Sequence, residues 1–153
     1  MKKNIVSLIL GSMIILFALQ SCEDENENET KISSYNSSES HNTGQDCMSC
    51  HKEGGSGEGV FTVAGTVYQS NQTTTYPEAT VKLYSEANGT ETLFASIEVD
   101  QRGNFYTTQQ IAFGDGLYAR VDGSSGTKYM VSSLTTGACS SCHGNSTDPI
   151  WVE

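Results

Sequence analysis

Val60-Phe61-Thr62-Val63-Ala64-Gly65-Thr66-Val67-Tyr68-Gln69 alternates residue by residue. Successive side chains of an extended chain point to opposite faces, so Phe61, Val63, Gly65 and Val67 share one side and Thr62, Ala64, Thr66 and Tyr68 the other. The same period of two recurs at Ala79, Val81 and Leu83, at Leu93, Ala95, Ile97 and Val99, and at Leu117, Ala119 and Val121. β-Branched and aromatic residues fill these runs, which suits a half-buried pleated surface. Turn residues separate them: Asn88-Gly89, Arg102-Gly103-Asn104, Gly114-Asp115-Gly116, and the stretch from Gly123 to Gly126. No stretch carries a helical period. The alternation predicts an all-β, antiparallel β-sandwich of six strands over 60–69, 79–85, 92–99, 104–109, 117–122 and 128–134. If each connection reverses the chain, an even number of strands returns it to the pole where it began.

Two copies of one pentapeptide bracket these strands. Cys47-Met48-Ser49-Cys50-His51 stands ahead of the first, and Cys139-Ser140-Ser141-Cys142-His143 behind the last. C-x-x-C-H is the attachment pattern of c-type haem. Two cysteine thiolates add across the porphyrin's vinyl groups, and the adjacent histidine turns under the iron. Cys47, Cys50, Cys139 and Cys142 are therefore the expected thioether anchors of two covalently bound haem c groups, with His51 and His143 as proximal iron ligands. The expected pole then brings the two attachment loops together. Four cysteines could instead form a Cys₄ zinc site, but these pairs are much further apart than the about 15–20 residues of zinc ribbons. Two local disulfides are a further alternative in an oxidising compartment. Both alternatives leave His51 and His143 without a role.

The candidates for a distal iron ligand are His41, six residues before Cys47, and Met130, nine before Cys139. Met130 alternates with Tyr129 and Val131 and so belongs to the face opposite the one those two would bury. A thioether ligand raises the reduction potential relative to a second imidazole. The plainer alternatives are an exposed tail histidine and a methionine in a satellite apolar cluster. Trp151 either packs on the second haem or closes the open end of the sandwich. Tyr68, Tyr84, Tyr106 and Tyr118 fall on even positions and read as cross-strand surface pairs. The run Lys52 to Gly59 (KEGGSGEG) reads as a hinge leaving the first attachment loop. The sequence holds no Ser/His/Asp set, no defined acid–base pair, and no glycine-rich phosphate loop ahead of a helix.

The first 21 residues have the form of a secretory leader: Lys2 and Lys3, an apolar run from Ile5 to Leu19, then small residues. Leu19-Gln20-Ser21-Cys22 resembles a bacterial lipobox, which implies a lipid on Cys22 and an anchor in the outer membrane, facing the periplasm or the cell surface. Residues 22–46 open on Glu23-Asp24-Glu25-Asn26-Glu27-Asn28-Glu29 and hold only Ile32 and Tyr35 as apolar side chains. Such composition predicts a disordered acidic tether, with a dihaem domain over 47–153. One lipidated cysteine and two haem pairs account for all five cysteines. The net charge of −10 excludes nucleic acid as an expected partner and favours redox proteins that present a basic docking patch.

Val63-Ala64-Gly65-Thr66-Val67 followed by Tyr76-Pro77-Glu78-Ala79-Thr80-Val81-Lys82-Leu83 resembles the opening of carboxypeptidase-regulatory-like, transthyretin-like domains. Asp100-Gln101-Arg102-Gly103-Asn104-Phe105 and Gly116-Leu117-Tyr118 are similar to that family's later turns. The resemblance covers about Val60 to Leu134 and implies a transthyretin-like or Ig-like sandwich that presents sites without performing chemistry. The combined expectation is extracytoplasmic electron transfer rather than enzymic turnover. The alternatives are a dihaem peroxidase-like enzyme and a haem-free surface binding module stapled by zinc or by disulfides.

Overall fold

The computed structural model describes residues 30–89 and 91–153. The leader, Cys22 and the acidic run behind it lie outside the described residues. Among the described residues the protein is all-β, with eight strands in two four-stranded sheets. The first sheet holds β1 (Val63–Tyr68), β4 (Asn104–Thr107), β7 (Gly137–Ala138) and β8 (Ile150–Trp151). The second, in the order β3-β2-β5-β6, holds β2 (Thr80–Tyr84), β3 (Leu93–Glu98), β5 (Tyr118–Asp122) and β6 (Thr127–Tyr129).

The period of two becomes one core shared by both sheets. Val63 and Val67 of β1 and Phe105 of β4 meet Val81 and Leu83 of β2, Ala95 and Ile97 of β3, and Val121 of β5. Full burial of each large side chain contributes roughly 1.5–3 kcal/mol. Gly65 falls on the same face of β1, and its missing side chain is a packing requirement. A Cβ there would lie 2.6 Å from Cζ of Phe105 and 3.0 Å from Cβ of Cys139.

The connections are not the simple reversals the strand count predicts. β1 pairs antiparallel with β4 but parallel with β7 and β8. Those last two strands are two residues each, too short to leave a period in the sequence. The second pentapeptide consequently lies between β7 and β8 rather than after the last strand. The predicted strand 128–134 shortens to β6, with Leu134 forming an isolated bridge to Leu117.

Side-chain parity also departs from expectation at three places. Leu83 faces Ala95 but Tyr84 faces Leu93, so Phe94 is an extra residue in a β-bulge. That slip reverses the face of everything before it, and Leu93 and Phe94 are both exposed. Tyr84, expected at the surface, is buried; it pairs with Tyr118 of β5 in register, and the Arg120 guanidinium lies 5.2 Å from its ring centre. At the end of β6 and just past it, Tyr129 and Val131 are exposed and Met130 is half-buried, the reverse of the predicted faces. β6 is an edge strand, and past Tyr129 its pairing continues through the Met130 amide, which donates to Ala119 O, and through the bridge between Leu134 and Leu117.

The predicted disordered tether extends to Asp46, but from Lys31 onward the chain is a strap bonded to β4. The Lys31 amide donates to Thr108 Oγ1 and its carbonyl accepts from the Thr108 amide. The Ser33 amide donates to Tyr106 O, and the Tyr106 amide donates to Ser33 Oγ, at 3.0 Å each. Ile32 forms an antiparallel bridge with Thr107, and Tyr35 hydroxyl bonds to Thr80 Oγ1. Further along, the Gln101 amide donates to Ser37 O and Arg102 Nε to Ser38 O. Apolar burial does not order this stretch, which holds only Ile32 and Tyr35 as apolar side chains. Here the backbone of Lys31 to Ser33, with the Ser33 hydroxyl, satisfies the open edge of β4, the usual liability of an edge strand.

Candidate functional site

Both pentapeptides fold into the same local form from different intervening residues. Cys47–Ser49 and Cys139–Ser141 are single 3-10 turns. In each, the second cysteine and the histidine amide donate to the carbonyl of the first cysteine, at 3.2 and 3.0 Å in one copy and 3.3 and 3.0 Å in the other. A 3-10 turn has three residues per turn, so side chains three apart eclipse. The two cysteines of each pair are thus one turn apart, the first half-buried and the second exposed, with the histidine next in line. Asp46 caps the first turn by accepting from the Met48 amide at 3.2 Å. All four cysteines are free thiols.

The histidines are oriented alike. His51 Nδ1 lies 2.9 Å from Glu58 O, and His143 Nδ1 lies 2.8 Å from Asp148 O. A carbonyl oxygen can only accept, so Nδ1 is the donor, and in the neutral imidazole Nε2 then keeps its lone pair. A backbone carbonyl on the far nitrogen is also the usual way a ligating imidazole is fixed in orientation.

What surrounds His51 was not legible as a site. The glycine-rich run expected as a hinge wraps the ring instead. The Gly57 amide donates to Cys50 O, and a Cβ at Gly57 would stand 2.7 Å from the imidazole. At Gly55 a Cβ would stand 2.0 Å from Cys50 O. Phe61, assigned by parity to the common core, stacks on His51 with ring centres 4.0 Å apart and planes 3° from parallel. Tyr106 stacks on Phe61 in turn, at 4.8 Å, so it is not a simple surface tyrosine. Lys31 pairs with Glu58, and that hydrogen bond holds the Glu58 carboxyl below its ordinary range.

His41 lies across from His51, with ring centres 5.8 Å apart and planes inclined by 38°. The two histidines, Cys47, Cys50, Phe61 and Tyr106 line a cavity of about 550 Å³, within the usual range of small-molecule and cofactor sites. The strap segment carrying His41 is held by the buried Asn104. Its Nδ2 donates to Ser40 Oγ at 2.9 Å and Thr43 Oγ1 at 3.2 Å, with a longer contact of 3.4 Å to His41 O. Thr66 hydroxyl donates to Asn104 Oδ1 and accepts from the Gly44 amide. Asn104 reads in sequence as a turn residue; nothing there points to a clamp on residues more than sixty positions away.

Both turns lie against β1. Ala138 is in register with Ala64, and Cys139 Cβ sits beside Gly65. Burial pushes the Cys139 thiol up to about 12, with the neighbouring Cys47 and Cys142 adding to the effect. Burial likewise raises Cys47, helped by Asp46 and Asp100 and partly offset by a backbone hydrogen bond. The protonated thiol is thus favoured at both positions. Among the described residues, no group of three or more His, Cys, Asp or Glu side chains forms a metal cluster; the pairs do not build the tetrahedral set that zinc requires. Met130 follows β6 at the edge of the second sheet, whereas both pentapeptides adjoin the first. Trp151 is a strand residue of β8 opposite Tyr68, with the Lys128 ammonium 3.6 Å from its ring centre. Chemically, each copy offers two thiols one turn apart and an imidazole nitrogen able to ligate a metal. Comparison with protein-family models, curated proteins and solved structures finds no match.

Proposed function

We propose that this chain is an extracytoplasmic electron-transfer protein carrying two covalently attached haem c groups. The observation that carries this reading is the duplicated geometry: two thiols projected by one 3-10 turn, then an imidazole whose Nδ1 is tied to a backbone carbonyl. This donor set fits haem c, for which Cys47 and Cys50, and Cys139 and Cys142, would supply the thioethers. His51 and His143 would each present Nε2 to iron. Such a group, when bound, supplies one-electron chemistry between Fe(II) and Fe(III). The chain's own part is positional. Glu58 O and Asp148 O hold the imidazoles, Gly57 and Phe61 confine the His51 ring, and β1 keeps the two turns side by side.

In this reading the two sheets form a transthyretin-like sandwich that presents the sites. Lipid on Cys22 holds the protein at the outer membrane, and the acidic run behind it, with the overall charge of −10, favours a redox partner with a basic docking patch. The test is expression of the full chain, leader included, with a cytochrome c maturation system, followed by haem staining and a pyridine-haemochrome spectrum. Two haems per chain are expected. A colourless protein, with zinc in place of iron on metal analysis, overturns the reading.

A further inference from the structure

We propose that His41, on the strap ahead of the first pentapeptide, is the distal axial ligand of the first haem, giving that site two imidazoles. The inference rests on the haem reading above and is carried by geometry around His51. Two metal–nitrogen bonds of about 2.0–2.1 Å, together with the roughly 1.1–1.2 Å from ring centre to ring nitrogen that aromatic C–N lengths impose, separate two axial imidazoles by about 6.3 Å. His41 and His51 stand 5.8 Å apart. A small outward shift of the exposed His41 ring closes the difference.

Three further observations bear on it. The His51 ring is already fixed by other contacts: Phe61 covers one ring face and Glu58 O accepts from Nδ1. His41 and His51 also line the same 550 Å³ cavity as both sulfurs of the pair, Cys47 and Cys50. The position of His41 is built rather than incidental, because the buried Asn104 holds Ser40 and Thr43 on either side of it and is itself held by Thr66. A tail histidine with no task would not need a buried amide to fix its flanks. The second site differs: among the described residues no ring stacks on or faces His143.

The test compares the matured full-length protein with His41→Ala and His41→Met, using spin state and carbon monoxide binding rather than turnover. The pyridine-haemochrome spectrum first establishes two haems per chain in each. The unaltered protein is expected to show a bis-imidazole low-spin signature by electron paramagnetic resonance and near-infrared magnetic circular dichroism. His41→Ala is expected to gain one high-spin, carbon-monoxide-binding haem per chain, and added imidazole to restore the low-spin state. His41→Met is expected to remain low-spin at a higher potential. Two haems with no bis-imidazole signature in the unaltered protein overturn the assignment of His41 alone, and so does a His41→Ala spectrum identical to it. An unaltered protein that matures without haem overturns the assignment and the reading beneath it together. Because the spectra of the unaltered protein are decisive by themselves, poor folding of a variant does not shelter the proposal.

Discussion

Gly57 has an ordinary backbone conformation, so its role is purely one of space. Any side chain there begins 2.7 Å from the His51 ring, well inside contact distance, and the ring cannot retreat because Phe61 lies flat against its face. Gly57→Ala is therefore expected to push the imidazole off Glu58 O and to cost about 1–3 kcal/mol, as overpacking does elsewhere. Urea unfolding reads the stability, and the His51 Nδ1 proton resonance reads the hydrogen bond. An unchanged resonance would sink this account of the ring. Composition marks the run as glycine-rich and no more, because steric exclusion by a distant ring leaves no trace in local sequence. Cysteine and histidine spacing, in contrast, was readable directly, since three-residue eclipsing is a property of the turn and not of the surrounding fold.

At the level of elements, the strap and β4 depend on one buried amide. Asn104→Ala removes the donor to Ser40 and Thr43 and leaves Thr66 hydroxyl without its acceptor. The expected loss is about 1–3 kcal/mol, and it should be local. Hydrogen exchange at the Gly44 and Gln45 amides accelerates, while the Ser33 amide, donating to Tyr106 O, and the Thr108 amide, donating to Lys31 O at the start of the strap, keep their protection. Uniform loss of protection would show instead that the strap has no separate stability. Period two gave the strands from 60 to 122 with little error, because one face of each is buried against the same core. It failed where a second rule intervened. The bulge at Phe94 shifted parity by one, and the strap was ordered by hydrogen bonds rather than apolar area. β7 and β8 were illegible because two residues carry no period.

For the whole molecule, of net charge −10, carboxyls held below their ordinary range by paired cations, as at Glu58 and Asp122, couple the folded state to pH. On the outer face of the second sheet, Lys82 and Arg120 stand opposite each other, and Asp122 Oδ2 accepts from both at 2.9 and 2.7 Å. Partial burial by itself would raise the Asp122 carboxyl. The hydrogen bonds from Arg120, Lys82 and Thr127 outweigh it and hold the carboxyl below its ordinary range. A carboxyl depressed on folding stabilises the native state above its unfolded value, and that contribution is lost as pH falls through the folded value. Asp122→Asn is thus expected to cost about 1–2 kcal/mol near pH 7. The gap to the unaltered protein should narrow once the pH drops below about 4, and melting curves across that range check it. A gap independent of pH would assign the effect to packing. The parallel pairing of β1 has a consequence in time as well as in space. Val63 pairs with Gly137 and Tyr68 with Trp151, so the strand that opens the first sheet completes its hydrogen bonding only with residues that follow the whole second sheet in sequence. Contacts that span so much sequence close late and slowly. As the polypeptide emerges, the first pentapeptide is exposed well before β1 has its final neighbours, while the second arrives already adjoining the closing strands; the two thiol pairs meet any modifying machinery at different stages of folding.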